Sequence, residues 1–246
     1  MAEKTIVLYG KNSVRERLKA DPTSIRRICL TQDFSHEEIK KLIHAAGVAA
    51  QRFSPAELAR MRPEKDLQGI LAHVAPYSYA EFRDVLARGA KNNDTLVFLD
   101  RINDPQNLGV ILRVLACFGR FAVVIPEFKA CAVNETVLHV ASGGENYVSV
   151  ARVANLTNAI LAAKKTGYWI AGAVVDEEAQ DLSKLSLPFP LGLVLGSEGE
   201  GVRYGVDKHL DIRVRISMPG AALSFNVAMA AAIFGYEISK QRGVSS

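Results

Sequence analysis

The chain has little cysteine: three in 246 residues, an odd number, with no Cys-x-x-Cys pair. That spacing offers neither a disulfide framework nor a zinc site. Cys29, Cys117 and Cys131 read as reduced, buried thiols. No apolar run reaches the length of a membrane span, and "MAEKTIVLYG" lacks the layout of a signal peptide. The expectation is a cytoplasmic protein without a bound metal. The glycine patterns GxGxxG and GxxxxGK[ST] are also missing, which argues against a nucleotide-binding oxidoreductase or a phosphate loop.

Net charge is small, +4, but it is unevenly placed. Residues 1–75 hold 13 Lys and Arg against 9 Asp and Glu, whereas 95–246 hold 14 of each. All the surplus is N-terminal, as for a small domain meeting a polyanion beside a neutral domain that does chemistry. Ordinary surface scatter gives the same sum.

What the chain has is apolar content, 49%, enough for one large or two ordinary domains. In 1–75, "NSVRERLKA" and "SHEEIKKLIHAAG" read as helices, the first capped by Asn12 or Ser13, the second by Ser35 with Glu38 three residues on and Gly47 as its stop. "SIRRICLT", "VAAQRF" and "GILAHVAP" read as strands. Residues 76–94 read as a linker with a short amphipathic helix ending at Gly89. From Thr95, the runs "TLVFL", "FAVVI", "YWIAGAVV", "LGLVLG" and "IRVRI" alternate with helices, the pattern of a parallel sheet in an α/β domain over 95–246. Ligands of such sheets lie at the carboxyl ends of the strands, where 100–107, 196–201 and 217–226 fall.

Three segments could carry chemistry. "NLGVILRVLACFG" reads as a helix capped by Asn107 and stopped by Gly119, apolar all round except Arg113. A buried guanidinium needs an anion or acceptors. Arg113 is then either half of a structural ion pair, with Glu198 the obvious partner, or a clamp for a phosphate or carboxylate. "LVLGSEGEGV" ends a core strand in Gly196 and continues through Ser197, Glu198 and Glu200. Its carboxylates would repel a pyrophosphate but suit an adenine, ribose hydroxyls or a cation. A tight acidic turn is the plain alternative, though three glycines in six residues carry an entropic cost that needs a reason. "RISMPGAALSFNVAMAAAI" leads from a strand into a helix of small residues; Ser224 and Asn226 could serve only as caps there. The small residues allow close approach of a second backbone, within the chain or from another subunit.

In this order and spacing, the three segments resemble the SpoU (TrmH) family of RNA ribose 2′-O-methyltransferases, within the SPOUT superfamily. The resemblance covers 95–242, and 1–75 is similar to the ribosomal-protein-like substrate-binding domain that many members carry. It implies an α/β domain with a deep trefoil knot and parallel sheet, preceded by a small α/β RNA-binding domain. It implies S-adenosylmethionine as cofactor, with Gly196, Ile216, Met218 and Phe225 lining its pocket. Asn107, Arg113, Glu198, Ser224 and Asn226 match the family's catalytic and substrate-site positions. A homodimer is implied, as is an RNA substrate, foremost a guanosine of 23S ribosomal RNA. The other readings are a transfer RNA 2′-O-methyltransferase and a non-catalytic, RNA-binding ribosome assembly factor. A guanidinium is a very poor general base, so Arg113 is expected to orient a phosphate and stabilise a developing alkoxide. Departures from the family pattern are Ser217-Met218-Pro219, Phe225 for the usual leucine, Leu67 for the usual histidine, and Glu145 in "SGGEN", one place early.

Overall fold

The computed structural model describes residues 5–63, 66–197, 199–221 and 223–243. It forms two sheets, each with its own core. The first unit comprises β1 (Ile6–Tyr9), α1 (Lys11–Ala20), β2 (Ile25–Thr31), α2 (Glu37–Ala46), β3 (Ala50–Phe53), α3 (Pro55–Met61) and β4 (Ile70–Val74). Its strand order is β1-β4-β2-β3, with β4 antiparallel to both neighbours. The periodic apolar residues Ile39 and Ile43 of α2 and Val14 and Leu18 of α1 fill the space over Ile28, Ile70 and Val74.

Helix starts differ from the expected caps. α1 begins after Gly10, whose φ of 89° sets the turn, with no side-chain cap from Asn12 or Ser13. α2 is capped by His36, whose ring nitrogen accepts from the Ile39 N–H, rather than by Ser35. Gly47 ends it in the left-handed conformation, as its position predicts.

The second unit runs α4 (Phe82–Asn92), β5 (Thr95–Asp100), α5 (Pro105–Phe118), β6 (Phe121–Pro126), α6 (Glu135–Ala141), β7 (Ser149–Val153), α7 (Leu156–Lys165), β8 (Trp169–Ala173), β9 (Gln180–Asp181), β10 (Leu191–Gly196), α8 (Tyr204–Asp207), β11 (Ile212–Arg215) and α9 (Val227–Gln241). Its seven strands are ordered β7-β6-β5-β10-β8-β11-β9, each pair parallel. The continuous apolar runs are buried on both faces: α5 and α9 cover one, α4 and α7 the other. α4 runs three residues beyond Gly89, and its Val85 and Leu86 join the core of Leu96 and Phe98.

The units are tied through α6 and the segment after it. Leu138 enters the first core. Glu135 accepts from the Val7 N–H and from Arg62, both at 2.8 Å, and the ring of His139 stacks on Tyr9 at 4.1 Å.

Candidate active site

The segments following β5, β10 and β11 meet at the carboxyl edge of the sheet. The segments after β10 and β11, joined by the one after β8, enclose a cleft of about 670 Å³ with β10, α8 and α9, a size suited to a small-molecule ligand. Its floor is apolar, from Leu195, Ile216, Val227 and Phe234; Ser197, Glu200 and Ser224 add polar groups. All four residues expected to hold a cofactor, Gly196, Ile216, Met218 and Phe225, line this one cleft.

The glycines of 196–201 have a steric reason. The loop folds straight back on the strand end, with the Gly201 N–H bonded to the Ser197 carbonyl at 2.9 Å. A Cβ on Gly196 would stand 2.1 Å from the Gly201 carbonyl carbon. Gly199 and Gly201 take positive φ, 83° and 63°.

The loop is held by residues that sequence reasoning missed. Asp100, fully buried at the end of β5, accepts from the Arg203 N–H at 3.0 Å, and the Arg203 Nε lies 2.9 Å from its other oxygen. Arg101 pairs with Glu200 and donates to the Gly201 carbonyl at 3.4 Å. The available signal was an Asp-Arg pair placed where an apolar strand gives out.

α5 starts three residues earlier than expected. Asp104 is its cap, accepting from the Gln106 N–H at 2.8 Å, and Pro105 takes the first turn. Asn107 therefore lies in the first turn instead of capping it, and it faces α9: Asn226 Nδ2 donates to Asn107 Oδ1 at 2.9 Å. Asn226 caps α9 as predicted, its Oδ1 accepting from Ala228 N–H at 2.8 Å.

Arg113 corrects the sequence reading. It is exposed, not buried. α5 packs Leu108, Ile111, Leu112 and Leu115 inward, while Gln106, Arg113 and Cys117 share the outer face. A helix of apolar composition has one free face here, so the guanidinium stays hydrated and no buried counter-ion is required. Among the described residues no carboxylate pairs with it; Glu198 lies outside them. Ser224 is exposed and lines the cleft.

Cys29 is buried and Cys131 half-buried, and burial pushes both thiols up. Cys117 is exposed, contrary to expectation, since it shares the outer face of α5. Among the described residues no group of His, Cys, Asp or Glu could hold a metal, and no helix is long and apolar enough to cross a membrane.

Comparison with known proteins agrees with this geometry. The profile described as the SpoU rRNA Methylase family matches residues 94–236. The profile for RNA 2′-O ribose methyltransferase substrate binding matches 7–80. A Ralstonia nicotianae protein named 23S rRNA (guanosine-2′-O-)-methyltransferase is 34% identical, with 98% of each chain covered. A Synechocystis tRNA/rRNA methyltransferase is 36% identical over 96% of this chain, which spans 63% of that relative. In fold, the chain is similar to the Streptomyces viridochromogenes SpoU methyltransferase AviRb solved with AdoMet, with a TM-score of 0.79, 21% identity, and coverage of 97% of this chain and 90% of that one. The chain belongs to the SpoU family of RNA methylases.

Proposed function

We propose that this protein transfers a methyl group from S-adenosylmethionine to the 2′-hydroxyl of a guanosine in 23S ribosomal RNA, in the cytoplasm and as a homodimer. The observation that carries this is the convergence of Gly196, Ile216, Met218 and Phe225 on one cleft, beside the Asn226–Asn107 bond.

The residues of the cleft fit the cofactor. It has an apolar floor for an adenosine, and a tight glycine loop brings backbone groups close. Its wall also carries Glu200, paired with Arg101, and Asp207, paired with Arg213. Bound there, S-adenosylmethionine supplies an electrophilic methyl group. Arg113 is open to solvent on the outer face of α5 and does not line the cleft; its place in the motif supports a role in clamping an RNA phosphate and stabilising the oxygen as it forms its bond to carbon. The 2′-proton leaves to phosphate or water. Asn107 and Asn226 hold each other, fixing the starts of the two helices between which the nucleotide would be presented. Ser224 contributes a hydroxyl to the cleft. Glu198 belongs to the same proposal from its place in the motif alone.

The N-terminal unit supports an RNA substrate through its positive surplus and its match to the substrate-binding profile. The Ralstonia relative's name supports a ribosomal target. A dimer is supported by apolar side chains left in solvent along α9 and its approach, namely Phe225, Met229 and Tyr236.

The test is transfer of labelled methyl to unmodified ribosomal and transfer RNA in parallel, with Arg113→Ala beside the wild type. One alkali-resistant position in 23S RNA, lost in the variant, is expected. Label in transfer RNA alone would replace the target. Label retained in the variant would remove Arg113 from the reaction.

A further inference from the structure

The segment between α6 and β7 touches the N-terminal unit and the Arg113 turn by alternate residues. Gly143 faces α1: a Cβ there would stand 2.4 Å from the Glu16 Cβ. Gly144 faces α5: a Cβ would come 2.8 Å from the Arg113 Cα and 3.1 Å from its backbone nitrogen. Glu145 turns back to α1. Its side chain is fully buried, and Oε1 accepts from Arg17 Nη2 and from Asn146 Nδ2, each at 3.1 Å. Tyr147 then donates to Glu16 at 2.6 Å. Five consecutive residues thus clasp α1 with three side chains or backbones and rest on the Arg113 backbone with the fourth.

Stability alone does not explain an ion pair at this point. Well-packed apolar groups of similar volume generally hold such a position as well or better. The pair is also incompletely satisfied, since Glu145 Oε2 and Arg17 Nε are buried without a hydrogen-bond partner in the protein. What the pair adds is direction, fixing which way α1 sits against Gly143 and hence, through Gly144, against the Arg113 turn.

We infer that Glu145 is a positioning residue, which with Arg17 sets the RNA-binding unit in fixed register against Arg113. This rests on the proposed reaction. RNA gripped by the N-terminal unit reaches the site in the right place only while α1 is fixed. Apolar replacement should keep the units together but let α1 slide.

The test compares wild type with Arg17→Met/Glu145→Leu and with Glu145→Gln, all full-length. Four quantities are read: thermal midpoint, cofactor and RNA affinities, single-turnover methyl transfer, and hydrogen exchange of amides 110–116. For the double variant we expect a midpoint within a few degrees and both affinities within twofold of wild type. Methyl transfer should fall at least tenfold and amides 110–116 should exchange at least tenfold faster, with smaller changes in Glu145→Gln. If the double variant does not fold, Glu145→Gln decides: at least a threefold fall in transfer and a threefold rise in exchange at unchanged midpoint and cofactor affinity support the inference, and smaller changes overturn it. Wild-type transfer in a folded variant overturns the inference. So does a loss that merely follows the midpoint or cofactor affinity, which marks a structural role only. If the wild type itself methylates no RNA, the proposed reaction falls separately. The exchange of 110–116 then decides the tie, and unchanged exchange overturns it.

Discussion

Asn226 donates its side-chain amide to the Asn107 carbonyl at 2.9 Å while its own carbonyl caps α9. One side chain therefore ends a loop, starts one helix and grips another. Capping α9 and gripping Asn107 can be separated by mutation. Asn226→Ser keeps a capping oxygen but is too short to reach Asn107. Its stability is expected within a few tenths of a kcal/mol of wild type, against a loss of about 1 kcal/mol for Asn226→Ala. Both should lower methyl transfer at least tenfold, on the order of one lost positioning contact. Melting curves beside single-turnover rates check this. A Ser variant with wild-type rate would reduce Asn226 to a cap.

Gly196→Ala puts a methyl group 2.1 Å from backbone that cannot rotate away. The loop 197–203 must lift, against its tether from Asp100 to the Arg203 N–H. Overpacking of this kind costs about 1–3 kcal/mol. Here it falls on the wall of the cleft rather than on the core. We expect cofactor affinity to drop at least tenfold, by titration calorimetry, while the far-ultraviolet spectrum is unchanged. Gly199→Ala meets no atom within 4 Å and suffers only from its positive φ, so its affinity loss should be smaller.

Much of this site was legible in the sequence because its signals are local. A glycine loop after an apolar strand and an asparagine before a run of alanines each state their geometry within ten residues, and both lie where they were expected. The parallel sheet was legible for the same reason, since strands covered on both faces are apolar throughout. Arg113 was misjudged because composition does not say which face of a helix is covered; only the packing of α5 against the sheet and α6 leaves that face open. The Asp100–Arg203 tether joins residues 103 apart, and the Arg17–Glu145 pair joins residues 128 apart. No periodicity reports such contacts. β7 and β9 went unseen because "SVARV" is short and mixed and "QD" is a pair of polar residues.

Burial raises the Glu145 carboxyl above its ordinary value, and the nearby Arg17 guanidinium offsets this only in part; Asn146 and Tyr77 are its other polar neighbours. The folded chain then holds this proton more tightly than the unfolded one. Between the unfolded and folded values the native state binds more protons, so stability from this group falls as pH rises through that window. Glu145→Gln has no such proton. The thermal midpoint of wild type, relative to Glu145→Gln, should therefore decline from mildly acidic to neutral pH. A constant difference from pH 4.5 to 7.5 would show that Arg17 cancels the burial cost.

Gly89 lies within α4, where alanine would ordinarily help by about 1 kcal/mol. Here a Cβ would sit 2.4 Å from the Tyr168 hydroxyl, which donates to the Asp94 carbonyl at 3.1 Å. Tyr168 is buried, with its hydroxyl pushed to high pKa by that burial and by Asp94. Gly89→Ala must displace the ring or break the hydrogen bond, so a net loss of about 1–2 kcal/mol is expected. Adding Tyr168→Phe removes the clashing oxygen and leaves the Asp94 carbonyl, close to the α4 end, to water. Gly89→Ala/Tyr168→Phe should then be more stable than Gly89→Ala alone, although Tyr168→Phe destabilises the wild type. Denaturant melts of the four proteins read this reversal of sign. Its absence would mean that crowding at Tyr168 is not what keeps glycine at position 89.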